Sequence, residues 1–310
     1  MDNLSTSIGK AKLRNPLILA AGILGSTYST LNKLYSEGFG AVITKSIGLK
    51  PRTGHPNPSV VYLSEIKSVV NAVGLANPGV DYYCQELQNI NPEVKYIVSC
   101  FGGNPEEFSE VIKTIDKYME TQNPPIAFEL NLSCPHASNV GIAVGTDPFI
   151  VEEILKTVKK VTKIPLWVKL TPNITDITEI GVAAVKGGAD ALVAINTVKA
   201  MLIDIKTRLP ILSNYKGGLS GSAIKPIGVR AIFDLYEILG SSIPLVGVGG
   251  ISKWEDIIEY ILAGANAVQF GSILSFKDSK EIINGFREKL SSYLQEEEIN
   301  LDQLRGLAHE

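Results

Sequence analysis

Eight times along this chain a short apolar run ending in small or polar residues is followed by an amphipathic stretch of helical period. No other feature limits the possible folds as much. The runs fall at 16–21, 41–44, 96–99, 126–130, 166–170, 191–195, 244–248 and 267–270. The amphipathic stretches fall near 28–37, 80–89, 105–119, 148–161, 176–187, 226–239, 253–263 and 279–294. Short, uniformly apolar runs are how parallel strands covered on both faces read. Asn104-Pro105 and Asp147-Pro148 are helix starts, and Gly38-Phe39-Gly40-Ala41, Gly187-Gly188-Ala189-Asp190 and Ala263-Gly264-Ala265-Asn266 supply glycines that can end a helix in the left-handed region. Eight such units predict an α/β fold closed as a (βα)8 TIM barrel, with an open Rossmann-type sheet as runner-up. No shift in composition marks a boundary, so 1–310 reads as one domain.

Two connections exceed ordinary turns, 48–79 and 198–225, and both follow the C-terminal ends of strands, the face on which barrel enzymes work. They are expected to wall or cover a site. The tail from 291 to 310, with Glu296-Glu297-Glu298, reads as a solvated helical end. Lys and Arg number 29 against 32 Asp and Glu, a net charge of -3, which offers no basic field for nucleic acid and no membrane patch. With 45% hydrophobic residues the chain can bury a large core. The three cysteines, Cys84, Cys100 and Cys134, form no metal-binding spacing, and no metal is expected. There is no signal-peptide pattern and no apolar run of membrane-spanning length, so a cytoplasmic location is expected.

Three groups of residues carry chemistry. Gly217-Gly218-Leu219-Ser220-Gly221, Gly249-Gly250-Ile251 after strand seven and Gly271-Ser272 after strand eight offer bare backbone amides where barrels commonly hold phosphate, although each set alone could be only a tight turn. Lys45 and Lys169 stand at the ends of strands two and five. A lysine there needs an anion, either a ligand or a strand carboxylate such as Glu129. In Asn131-Leu132-Ser133-Cys134-Pro135-His136, alternation turns Glu129 and Asn131 away from Leu130 and Leu132. Cys84 and Cys100 read as inert apolar thiols, whereas Cys134 sits in a loop where its thiolate could take a proton. His55 and His309 have no special claim, whereas His136 could be functional, a surface-loop histidine being the commoner reading.

With these residues in view, the chain resembles the class 1 dihydroorotate dehydrogenases. The resemblance runs from about Asn15 to Leu274 and rests on Asn15-Pro16, Ala20-Ala21-Gly22, Thr44-Lys45-Ser46, Asn71-Ala72-Val73-Gly74-Leu75, Asn77-Pro78-Gly79, Asn131 through Pro135, Lys169-Leu170, Asn196-Thr197, Gly218 through Gly221, Gly249-Gly250-Ile251 and Gly271-Ser272. The stretch 141–148 is closer to subclass B. The resemblance implies FMN-dependent oxidation of dihydroorotate to orotate in pyrimidine synthesis, with Cys134 as the base. It implies FMN contacts from Ala21, Lys45, Ser46, Ser99, Asn131, Lys169, Ile195, Gly221, Gly249, Gly250, Gly271 and Ser272. Substrate contacts are implied for Lys45, Asn71, Ala72, Val73, Gly74, Leu75, Asn131, Asn196 and Thr197. It also implies a partner subunit carrying FAD and a [2Fe–2S] cluster, in a heterotetramer, or else a homodimer.

The chain departs from the subclass B pattern at Ser99, where an asparagine contacts FMN, at His136, where an asparagine usually follows Cys-Pro, and mildly at Ser46. Rival readings are a dihydropyrimidine dehydrogenase acting on uracil or thymine, a flavin-free aldolase or lyase with Lys169 as a Schiff base, and a non-catalytic barrel that binds a phosphorylated ligand.

Overall fold

The computed structural model describes residues 2–119, 123–133 and 144–310. All eight apolar runs are strands: β1 Leu17–Leu19, β2 Ala41–Ile43, β3 Tyr96–Cys100, β4 Ala127–Asn131, β5 Leu166–Leu170, β6 Ala191–Ala194, β7 Leu245–Val248 and β8 Ala267–Phe270. Each pairs in parallel with its sequence neighbours, and β8 returns to β1, Val268 opposite Leu17, to close the ring. Between them run α1 Tyr28–Glu37, α2 Val80–Leu87, α3 Pro105–Met119, α4 Pro148–Val158, α5 Ile177–Gly187, α6 Lys225–Leu239 and α7 Trp254–Leu262, with α8 Ser279–Glu296 after β8. Closure excludes the open sheet.

Because successive strand residues point to opposite faces, the barrel wall sorts them into two cores. Leu19, Val98, Leu130, Val168 and Leu192 pack outward under the helices. Ile18, Ile43, Ile97, Trp167, Val193 and Val246 fill the lumen. Toward the C-terminal ends of the strands the same inward positions turn polar, with Glu129 on β4, Lys169 on β5 and Gln269 on β8 all buried. That change from apolar to polar filling is what makes one end of the barrel chemically useful.

The N-terminal end is closed by an antiparallel hairpin, Thr6–Ile8 with Ala11–Leu13, turning at Gly9 and Lys10. Its inward Ile8 and Leu13 join the lumen core, and its outward residues are exposed. Sequence reasoning passed over this hairpin, although a two-residue glycine turn between alternating residues is its usual signal.

At the other end the two long connections pair with each other. Val198–Ala200, Gly217–Gly221, Ser68–Asn71 and Val60–Leu63 lie in that order in one antiparallel sheet. The segment Gly217–Gly221 is thus a strand rather than a turn. An added Cβ at Gly218 would stand 2.1 Å from Thr197 Oγ1, so only glycine allows the sheet to lie this close to the loop after β6.

The tail departs from its expected solvated state. Leu294, Leu301 and Leu304 are buried, a capping box between Asn300 and Gln303 starts the short helix Leu301–Leu304, and His309 stacks on Phe233 with ring centroids 3.8 Å apart. Leucines spaced along the last 20 residues carry enough apolar surface to outweigh the neighbouring glutamates.

Candidate active site

Strand ends, the loops after them and the antiparallel sheet converge on the polar mouth of the barrel. At the floor, Gln269 Nε2 donates to Glu129 Oε2 at 2.6 Å and Lys169 Nζ donates to Gln269 Oε1 at 3.2 Å. Lys169 Nζ also lies 3.5 Å from Glu129 Oε1. The strand carboxylate weighed as a partner for Lys169 is therefore its partner. Gln269 was not foreseen, although a lone polar residue within the apolar run of β8 was the available signal.

Above this level runs a chain of short polar side chains. The hydroxyls of Ser99 and Ser46 are 2.9 Å apart, Asn131 Nδ2 donates to Ser46 Oγ at 3.2 Å, and Asn196 Nδ2 donates to Asn131 Oδ1 at 3.1 Å. Asn196 Oδ1 in turn accepts from the Thr197 amide at 2.7 Å. Five residues from β3, the loop after β2, β4 and the loop after β6 are joined in one network. Ser99 is fully buried behind Ser46, with its amide held by Thr44 Oγ1.

Lys45 follows β2 and is half-buried. Among the described residues no carboxylate comes within ion-pairing distance of it. Burial lowers its pKa below the ordinary lysine value. A cation desolvated without a counter-charge is poised for an anionic ligand.

The loop Asn71–Leu75 leaves the antiparallel sheet and lies against the connection after β2, where the His55 amide donates to the Val73 carbonyl. Asn71 pairs with Gly218 in the sheet. Gly74 and Leu75 both take positive φ, 76° and 58°. The loop is clamped by Asn77, whose Nδ2 donates to the Leu75 carbonyl while its Oδ1 accepts from the Gly79 and Gly48 amides. Asn77 belonged to the resemblance only as part of Asn-Pro-Gly, and its clamping role is a structural finding.

At the far rim, Gly221, Gly249 and Gly250 have φ of 97°, 127° and 73°. A Cβ on Gly250 would meet the Lys225 backbone nitrogen at 2.6 Å, which fixes β7's loop directly against the start of α6. Neither the start of α6 nor the short helix Ser272–Ser275 that follows Gly271 has a side-chain cap. Before α6 the amides of Ser222, Ala223 and Lys225 are already engaged, by the Lys67 carbonyl, Ser68 Oγ and the Ser222 carbonyl, so the helix start that suits an anion such as phosphate is the one after Gly271. Lys225 is held away by Asp256 and Glu259 at 3.0 and 2.8 Å. Ile195 is buried beside Gly249, and Ala21 packs on the lumen core just beyond β1.

Cys134 and His136 lie outside the described residues, and the strand leading to them ends at Asn131. The other two cysteines are buried. Burial pushes the Cys84 thiol up to about 11, and Cys100 is pushed higher still. Alkylation of the native protein by iodoacetamide at neutral pH is expected to modify one thiol at most, Cys134, and none in Cys134→Ala. Peptide mass spectrometry reads the outcome, and modification of Cys84 or Cys100 before unfolding would contradict it.

The family model for dihydroorotate dehydrogenase matches residues 3–294. The chain is 48% identical over 310 residues to a protein of Methanocella arvoryzae, covering 99% of this chain and 98% of that one. It is 46% identical over 312 residues to one of Methanocaldococcus jannaschii, covering 99% and 98%. A third, from Pyrococcus horikoshii, is 47% identical over 289 residues, covering 92% and 91%. All three bear the name dihydroorotate dehydrogenase B (NAD(+)), catalytic subunit.

Proposed function

The chain belongs to the dihydroorotate dehydrogenase family, and on that premise we propose that it oxidises dihydroorotate to orotate in pyrimidine biosynthesis with FMN as its resident cofactor. The observation that carries the reading is the joining of Ser46, Asn131 and Asn196 in one network beside two cations, Lys45 and Lys169, under a glycine rim suited to phosphate. A flat, polar, phosphate-bearing group fits that combination. FMN, when bound, supplies the hydride acceptor.

The residues of this chain supply the rest. Asn131 and Asn196 each carry an amide with donors and an acceptor, the pattern needed to match the edge of a planar imide. Asn71 through Leu75 and Thr197 flank the same space. Lys45 offers its charge to the anionic substrate, and Lys169 offers a fixed cation from below. Gly221, Gly249, Gly250, Gly271 and Ser272 would hold the phosphate, and Ala21, Ser46 and Ile195 would border the ring. Ser99 would act through Ser46. Cys134, three residues beyond Asn131 in sequence, takes the proton that leaves with the hydride.

The names of the relatives specify NAD(+) and a catalytic subunit, so electrons are proposed to leave through a separate partner chain carrying FAD and a [2Fe–2S] cluster. Two of this chain's three cysteines are buried in its core, which leaves too few thiolates to hold such a cluster here. Residues 1–310 are proposed to work as one domain, in a heterotetramer with the partner or as a homodimer. Among the described residues no helix is long and apolar enough to cross a membrane.

Lys45 gives the reading a pH signature. Because burial disfavours its charged form, it loses its proton at a lower pH than an ordinary lysine, and its hold on the substrate goes with it. The KM for dihydroorotate is expected to rise with pH before an ordinary lysine would lose its proton, and Lys45→Met should flatten that rise. A KM profile identical in the two proteins would remove Lys45 from the site. The reading itself is tested by adding dihydroorotate and dihydrouracil side by side to the FMN-loaded protein without oxygen. Flavin bleaching by dihydroorotate alone supports it, whereas bleaching by dihydrouracil alone favours the dihydropyrimidine dehydrogenase reading.

A further inference from the structure

Glu129 and Gln269 belong to strands β4 and β8, which stand opposite each other in the eight-membered ring. Their side chains meet across the lumen, and both are fully buried. The contact uses both ends of the Gln269 amide, Nε2 to Glu129 and Oε1 from Lys169, so the amide's orientation is fixed. Among the described residues it also leaves Glu129 Oε1 without a hydrogen bond, 3.5 Å from the Lys169 ammonium rather than in direct contact with it. A buried carboxylate oxygen beside a lysine would ordinarily close to hydrogen-bond distance, because leaving it unbonded is costly. Gln269 prevents this by holding the other oxygen and taking one of the ammonium's three donors. Among the described residues no other side chain takes the remaining donors, and Lys169 lies in register with Asn131 on the neighbouring strand.

We propose that Glu129 and Gln269 are positioning residues that hold Lys169 at a set distance from the carboxylate and so limit the positive charge presented to the flavin. The proposal rests on the flavin reading above. Glu129 offsets part of the lysine's field, which tends to hold the flavin's potential down. Gln269 keeps that offset partial by keeping the pair apart.

The two residues should therefore act with opposite sign. Glu129→Gln removes the negative charge at nearly constant shape, and the midpoint potential of bound FMN should rise. Gln269→Met frees the carboxylate to draw Lys169 away, and the potential should fall. Each shift is expected to reach a tenfold change in the equilibrium with a reference dye, which is about 30 mV for a two-electron couple. Glu129→Asp keeps the charge and should stay near the wild-type value.

The measurement is dye-equilibrated reduction of the purified holoenzyme, with FMN affinity and melting temperature recorded alongside. A purely structural role would lower affinity and melting temperature while leaving the potentials unmoved or moving them in one direction, and that result overturns the proposal. Should Glu129→Gln not fold, Gln269→Met decides alone, a fall supporting the proposal and an unchanged or raised potential overturning it. A wild-type chain that binds no FMN overturns the flavin reading as well, whereas normal FMN binding with unmoved potentials overturns this inference alone.

Discussion

Replacing Cys134 with alanine is expected to slow reduction of the flavin by dihydroorotate about 10²–10⁴-fold, the usual worth of a general base, while leaving FMN bound. Cys84 and Cys100 are enclosed in the outer core with their ionisation suppressed, so neither can substitute as a base. Cys134 directly follows the segment Asn131-Leu132-Ser133, whose first residue is the hub of the polar network. Stopped-flow reduction under anaerobic conditions reads the effect. An unchanged half-reaction rate in Cys134→Ala would move the base elsewhere.

The second large effect is expected at Lys169. Lys169→Met removes the cation at the floor of the site and leaves Glu129 fully buried without its only ion-pair partner among the described residues. Breaking one side of a buried pair typically costs about 3–5 kcal/mol, whereas removing both charges costs far less. The single variant should therefore lose both stability and flavin reduction. Adding Glu129→Gln to it should restore most of the stability and none of the reduction rate. Thermal unfolding and half-reaction kinetics on the single and double variants separate the structural part of the pair from its chemical part. Recovery of the reduction rate in the double variant would show that Lys169 serves only to neutralise Glu129.

The barrel was legible because each wall strand is buried on both faces and each helix on one, so two different periods mark the chain. Inward and outward assignments on β4 follow from alternation alone, and Glu129 is a candidate partner for Lys169 because a buried lysine needs a carboxylate and this one stands on a strand. What alternation does not give is contact across the lumen. Gln269 lies 100 residues from Lys169 in the chain, and only closure of the ring brings them together. The same holds for the antiparallel sheet, whose strands come from two loops more than 100 residues apart and pair only because β2 and β6 end at the same mouth. The tail was misjudged because its charged run at Glu296–Glu298 masked Leu301 and Leu304, two leucines whose burial outweighs local polarity. Recognition of Cys134 rested on motif and resemblance, and its position lies outside the described residues.

The protein is loaded with FMN, freed of oxygen and titrated with dihydroorotate while absorbance in the flavin band and orotate formation are followed together. One orotate formed for each FMN bleached is the predicted result. A protein that takes up no FMN, or that holds FMN unbleached in excess dihydroorotate, would contradict the account.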